Sequence, residues 1–128
     1  MPRARVLQIG MDPDVIDFSP WPGQDADALR ARLGEAEAAL RDAGVDVTMC
    51  VLPDDVDAAE STVRKIVDAE PFDVVEIGSG LRTSHEYTLV FERVVNTVAA
   101  IQPGVPFCFN DSPETTLDAV RRGLASRS

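Results

Sequence analysis

The sequence predicts a single α/β domain over residues 1–128, built on an open parallel sheet. Three observations carry this expectation. Short apolar runs rich in Val, Ile and Phe alternate with longer stretches whose apolar residues recur at helical spacing. Gly, Pro or Asp punctuates each junction. The strand–helix alternation repeats through the chain, and that order suits a parallel sheet covered by helices on both faces.

Arg5–Gly10 is the first expected strand. Met11–Gly23 follows, with Asp12-Pro13-Asp14 and Ser19-Pro20-Trp21-Pro22-Gly23. Its prolines exclude regular structure over much of it, and its length makes it either a lid or a rigid loop with Trp21 packed as a plug. Asp25–Ala43 reads as a helix with the apolar stripe Leu29, Leu33, Ala36 and Leu40, closed by Gly44. Val45–Leu52 is the second strand. Pro53-Asp54-Asp55 starts a helix over Val56–Ala69, with Val56, Ala59, Val63, Ile66 and Val67 inward and Pro71 as its stop.

Phe72–Ile77 is the third strand, apolar apart from Glu76. Gly78-Ser79-Gly80 then turns the chain. Thr83-Ser84-His85-Glu86 has the form of a capping box, with Thr83 as N-cap of a helix running from Ser84 to Ile101. Tyr87, Val90, Phe91, Val94, Val95, Val98 and Ile101 share one side of that helix. His85, Glu92 and Asn96 fall on the other, and Leu89 lies off the stripe. Val105–Phe109 is the fourth strand, marked as an edge by Pro106. Ser112 and Pro113 open the last helix as N-cap and first helical residue, with Leu117, Val120 and Leu124 inward and fraying expected from Ala125 to Ser128.

Right-handed crossovers give a three-layer flavodoxin-like or Rossmann-like fold with strand order 2-1-3-4. Cys50 and Cys108 then lie on strands roughly 14 Å apart, at about 4.8 Å per strand spacing. A disulfide within the chain is excluded, since it needs Cα atoms within about 7 Å. Both thiols read as buried and free.

Composition narrows the function. Hydrophobic residues make up 45% and charged residues 27%, ordinary values for a soluble protein. No apolar run reaches the roughly 20 residues of a membrane span. The start, Met1-Pro2-Arg3-Ala4-Arg5, leads straight into a strand with no small-residue cleavage site, so the expected compartment is the cytoplasm. A net charge of −10 argues against nucleic acid and anionic membranes as partners. The cysteines and the single histidine lack metal-site spacing, and Asp12 with Asp14 makes too small a ligand set, so no metal is expected.

In this fold class, ligands bind at the carboxyl ends of strands 1 and 3. Gly10–Asp14, Gly78–His85 and Asn110–Ser112 converge there. The expected ligand-binding residues are Gly10, Ser79, Arg82, Thr83, Asn110 and Ser112. Arg82 matches a carboxylate or phosphate, or else pairs with Asp12 or Asp111. Asp12 and His85 are the candidate acid–base groups, His85 otherwise being a solvent-facing helix residue. Gly78-Ser79-Gly80 lacks the third glycine of a dinucleotide fingerprint and follows the third strand, so no NAD or other cofactor is invoked. A Ser79–His85–Asp12 triad rests on co-location alone.

Two resemblances are carried by these stretches. Val6–Val15 (VLQIGMDPDV) is similar to the first strand and acidic loop of response-regulator receiver domains. Gly44–Met49 looks like their second strand, and Ile101–Phe109 (IQPGVPFCF) and Glu114–Gly123 (ETTLDAVRRG) look like their fourth strand and next helix. Gly78 stands at or near the place of the phosphoacceptor aspartate. Only one of the acidic pair is matched, by Asp12 or Asp14, and the receiver lysine has no counterpart. The resemblance therefore implies the fold without phosphotransfer. Over its whole length the chain also resembles a family of short, uncharacterised bacterial α/β proteins. They share IGSGLR after strand 3, a long apolar helix, and FCFN before a helix with Asp/Glu-Thr and Ala-Val. This implies the same fold and site location. The expected function is binding of a small anionic metabolite. The rival is a receiver-like interaction module acting through a protein partner or a homo-oligomer.

Overall fold

A computed structural model describes residues 3–126. Strands β1 (Arg5–Met11), β2 (Asp46–Leu52), β3 (Val74–Ile77) and β4 (Phe107–Phe109) form one parallel sheet in the order β2-β1-β3-β4. Helices α1 (Ala26–Asp42), α2 (Val56–Ala69), the one-turn α3 (Ser79–Thr83), α4 (Thr88–Ile101) and α5 (Thr116–Ser126) connect and cover it. The order and direction of the strands are those expected from the sequence. Each strand is trimmed or extended at its ends: β1 gains Met11, β2 begins at Asp46, β3 loses Phe72 and Asp73, and β4 loses Val105 and Pro106.

Alternation along the strands divides the core in two. Leu7, Ile9, Met11, Cys50, Leu52, Val75 and Ile77 face α2 and α4, where they join Ala59, Val63, Val67, Val90, Val94 and Val98 in one apolar cluster. Val6, Val47, Val74 and Cys108 face α1 and α5 and pack with Leu40, Ala119 and Val120 in a smaller one. α5 sits close because Gly123 has no side chain: a Cβ there would stand 2.4 Å from Val74 Cγ2 and 3.2 Å from Cys108 Cβ. Cys50 and Cys108 are buried and free on opposite edge strands, and burial pushes each thiol up to about 12.

Local chemistry explains the helix ends. Asp25 and Asp55 cap α1 and α2, accepting from Ala28 N at 2.8 Å and Ala58 N at 2.8 Å. Gly44, at φ 85°, takes the left-handed turn after α1. The helix expected from Ser84 to Ile101 is instead a 3-10 turn over His85–Tyr87 followed by α4 from Thr88, and the stretch before it, expected as a glycine turn, contains α3. Thr83 is therefore the last residue of α3 and not an N-cap. Its hydroxyl donates back to Ser79 O at 2.7 Å, and no side-chain cap forms at the turn that follows. The last helix is likewise preceded by a 3-10 turn, Pro113–Thr115, with Ser112 before it. α5 includes Ala125 and Ser126, and residues 127 and 128, the rest of the end expected to fray, lie outside the described residues. No helix among the described residues is long and apolar enough to cross a membrane.

Candidate functional site

A cavity of about 530 Å³ opens at the carboxyl ends of β1 and β3, on the α1/α5 side of the sheet. Gln8, Gly10 and Gly78 line it from the two central strands. Leu29 and Leu33 of α1, Met49 and Val51 of β2, and Phe18 and Trp21 of the long loop supply apolar lining. These helix and strand residues point the way their periodicity requires. Leu40, one end of the α1 stripe, is fully buried, whereas Leu29 and Leu33 face the cavity and are only half-buried. Trp21 is 49% exposed, so it is a half-open wall and not a buried plug. The loop is tied down by the Tyr87 hydroxyl, which donates to Val15 O at 3.2 Å.

The polar end comes from α3 and the β4–α5 connection. Gly78, extended at φ −68° and ψ 149°, starts α3 without a side chain to cap it. Asn110 supplies the cap from across the sheet end: its Oδ1 accepts from Ser79 N at 2.8 Å and its Nδ2 donates to Thr116 Oγ1 at 2.9 Å. The Asn110 side chain is thus committed to joining α3 to α5, and the Ser79 amide is committed with it. The Ser79 and Ser84 hydroxyls line the cavity and make no hydrogen bond among the described residues. Arg82 donates to Asn110 O at 2.7 Å, and its guanidinium lies 5.6 Å from the Phe109 ring centroid. None of the ion pairs among the described residues involves Arg82. The alternative pairing with Asp12 or Asp111 does not form: Asp12 lies 3.8 Å from Arg30, and Asp111 accepts from Thr115 Oγ1 at 2.7 Å. Arg32 also reaches the lining but is held by both oxygens of Glu114, at 2.9 and 2.6 Å.

Six of the sequence-derived positions line this cavity: Gly10, Ser79, Arg82, Thr83, Asn110 and Ser112. Asp12 and His85 do not. Asp12 accepts from Asp14 N at 2.9 Å and belongs to the Arg30 ion-pair group, and His85 is exposed on its 3-10 turn. The Ser79–His85–Asp12 triad is not assembled around the cavity. Among the described residues no cluster of three or more His, Cys, Asp or Glu is placed to hold a metal.

The groups missing from the sequence reading are Gln8 and Glu76. They sit side by side in the β1–β3 register, each two residues before a glycine, in Gln8-Ile9-Gly10 and Glu76-Ile77-Gly78. Gln8 Nε2 donates to Glu76 Oε2 at 2.9 Å. Glu76 has no exposed surface, and its Oε1 has no hydrogen-bond partner among the described residues. Burial raises the carboxyl to about 7; the Gln8 hydrogen bond, the Asn110 backbone amide and the Arg82 charge act in the opposite direction. The signal available in the sequence was the matching interruption of two apolar runs by polar-Ile-Gly, which gains meaning only once the strands are paired. No protein-family model matches the chain, and no curated protein matches it.

Proposed function

We propose that the protein binds a small amphipathic anion in the cavity at the ends of β1 and β3. The observation that carries this reading is the division of the cavity. Its walls are largely apolar, from Leu29, Leu33, Met49, Val51 and Trp21, and one end holds Arg82 with the unbonded hydroxyls of Ser79 and Ser84. An apolar body with a carboxylate, phosphate or sulfonate head fits both parts. The helix N-termini contribute less than the sequence suggested, because Thr83 ends a helix and the Ser79 amide is capped by Asn110. Asp12 and His85 are left out of the binding role, since neither lines the cavity.

Thermal denaturation against carboxylated, phosphorylated and sulfonated compounds with alkyl or aryl bodies tests the reading. A ligand that binds only the native state stabilises it by mass action, by about 2.7 kcal/mol at a hundredfold excess over Kd, and so raises the midpoint. A rise in wild type that disappears in Arg82→Ala supports the site. A rise that persists in Arg82→Ala assigns the anion elsewhere.

A second reading, an interaction module, is favoured by Leu89, which is 64% exposed on α4, and by the edge position of β4. Size-exclusion chromatography over a wide concentration range distinguishes it. A profile that remains monomeric with Leu89 unperturbed removes self-association.

A further inference from the structure

We infer that the cavity takes up a proton together with its anion, and that Glu76, beneath the floor beside Gln8, is the group that gains it when an anion covers Arg82. This rests on the reading of the cavity as an anion site and adds its regulation.

The geometry places a nearly dry carboxyl directly under the floor. Glu76 is fully buried and Oε1 has no hydrogen-bond partner among the described residues, so an ionised Glu76 is supported directly only by the Gln8 hydrogen bond at Oε2 and, more weakly, by the Asn110 backbone amide. Nothing stands between the Gln8 amide and the cavity, because positions 10 and 78 carry no side chain. A Cβ at Gly10 would lie 3.8 Å from Gln8 Nε2, and one at Gly78 would lie 3.7 Å from it.

Few charged or titratable groups face Glu76. β1 offers only the neutral Gln8. β4 offers the Cys108 thiol, itself held un-ionised by burial and by Glu76. α5 contributes Arg122, which acts on Cys108. α1 turns Leu29 and Leu33 to the cavity, and its Arg32 is held by Glu114. α3 contributes Arg82, whose charge favours the ionised carboxyl. Burial places Glu76 at about 7, so small changes in its surroundings move it across neutral pH. An anion bound at Arg82 cancels that support, and the carboxyl binds a proton more tightly. Linkage requires the converse. The protonated form binds the anion more tightly, so affinity is highest below about pH 7 and falls as pH rises through the bound-state value.

Octane-1-sulfonate is a suitable probe, because its head group stays ionised throughout and any proton taken up belongs to the protein. Calorimetric titration at pH 7 in two buffers of different ionisation enthalpy counts that proton. Wild type is expected to take up a fraction of one proton per sulfonate and to bind about fivefold more weakly at pH 8 than at pH 6, the low end for coupled sites. Glu76→Gln, which keeps an acceptor for Gln8, is expected to bind with no uptake and no pH dependence. This variant retains His85, so any uptake that survives in it does not belong to Glu76. Binding without uptake in wild type, or with equal uptake in Glu76→Gln, overturns the inference and leaves the anion site standing. Absence of binding in every form overturns both. A ligand-free measurement decides the coupling independently. The carbon-13 titration midpoint of the Glu76 carboxyl is expected near 7 in wild type and higher in Arg82→Gln. An unchanged midpoint overturns the inference whatever the sulfonate does.

Discussion

The α2/α4 side of the sheet and the α1/α5 side are built from alternate residues of the same strands, yet they do different things. On the α2/α4 side, Leu7, Ile9, Val75 and Ile77 are fully buried against Val63, Val94 and Val98, and the apolar layer continues to the strand ends at Met11 and Leu81. On the α1/α5 side the layer stops halfway. Val6 and Val74 are sealed by Leu40, Ala119 and Val120, but the next residues along are Gln8 and Glu76, then Gly10 and Gly78. Hydrophobic side chains give way to a hydrogen-bonded polar pair and then to bare backbone. Stability is concentrated on one side, and the other gives up part of its core to make room for a cavity.

Truncations should show that difference most strongly. Ile77→Ala removes a fully buried side chain from the closed side and is expected to cost about 2–5 kcal/mol, whereas Leu33→Ala on the cavity wall should cost about 1 kcal/mol or less. Urea unfolding of the two variants checks this, and equal losses would mean that the cavity wall is packed as tightly as the core. Gly123→Ala probes the sealed half of the α1/α5 side. With a Cβ only 2.4 Å from Val74 Cγ2, α5 must shift, at a cost of about 1–3 kcal/mol.

Glu76→Gln sharpens the comparison through pH. The folded carboxyl titrates at about 7 against an ordinary value of 4.5, so between those values the native state holds more protons than the unfolded chain. Stability therefore falls as pH rises through that window, and the full penalty is present above it. Glu76→Gln should match wild type near pH 4.5 and exceed it at pH 8, by an amount on the order of 1–3 kcal/mol. Thermal unfolding at the two pH values reads the difference. The smallest expected effect is at Gly34, within α1 with nothing within 4 Å of an added Cβ. Gly34→Ala should stabilise the protein by about 0.5–1 kcal/mol without touching the cavity.

The sheet order was legible in the sequence because its determinants are local. Strand-length apolar runs alternate with amphipathic stretches, Asp25 and Asp55 announce helix starts, and Pro106 announces an edge. The site was legible in part for the same reason: the glycines after β1 and β3 mark the strand ends where the loops converge. What failed was non-local. Thr83-Ser84-His85-Glu86 satisfies the local pattern of a capping box, but a separate helical turn, α3, ends at Thr83, its Ser79 amide held by Asn110 from a distance in sequence, and the long helix starts only at Thr88. Gln8 and Glu76 looked like separate flaws in two strands, and only the β1–β3 register makes them one hydrogen-bonded pair. The half-exposed Leu29 and Leu33 look like ordinary core residues in any helical wheel, since periodicity gives direction and not what lies there.

The most direct test of the central claim is amide chemical-shift mapping by nitrogen-15 NMR during titration with octane-1-sulfonate. The cavity reading predicts saturable changes at Gly10, Gly78, Ser79, Asn110 and the Trp21 indole, with Leu89, Val94 and Val98 unmoved. Changes centred on Leu89 and Phe109, or none at the glycines of the floor, would contradict it.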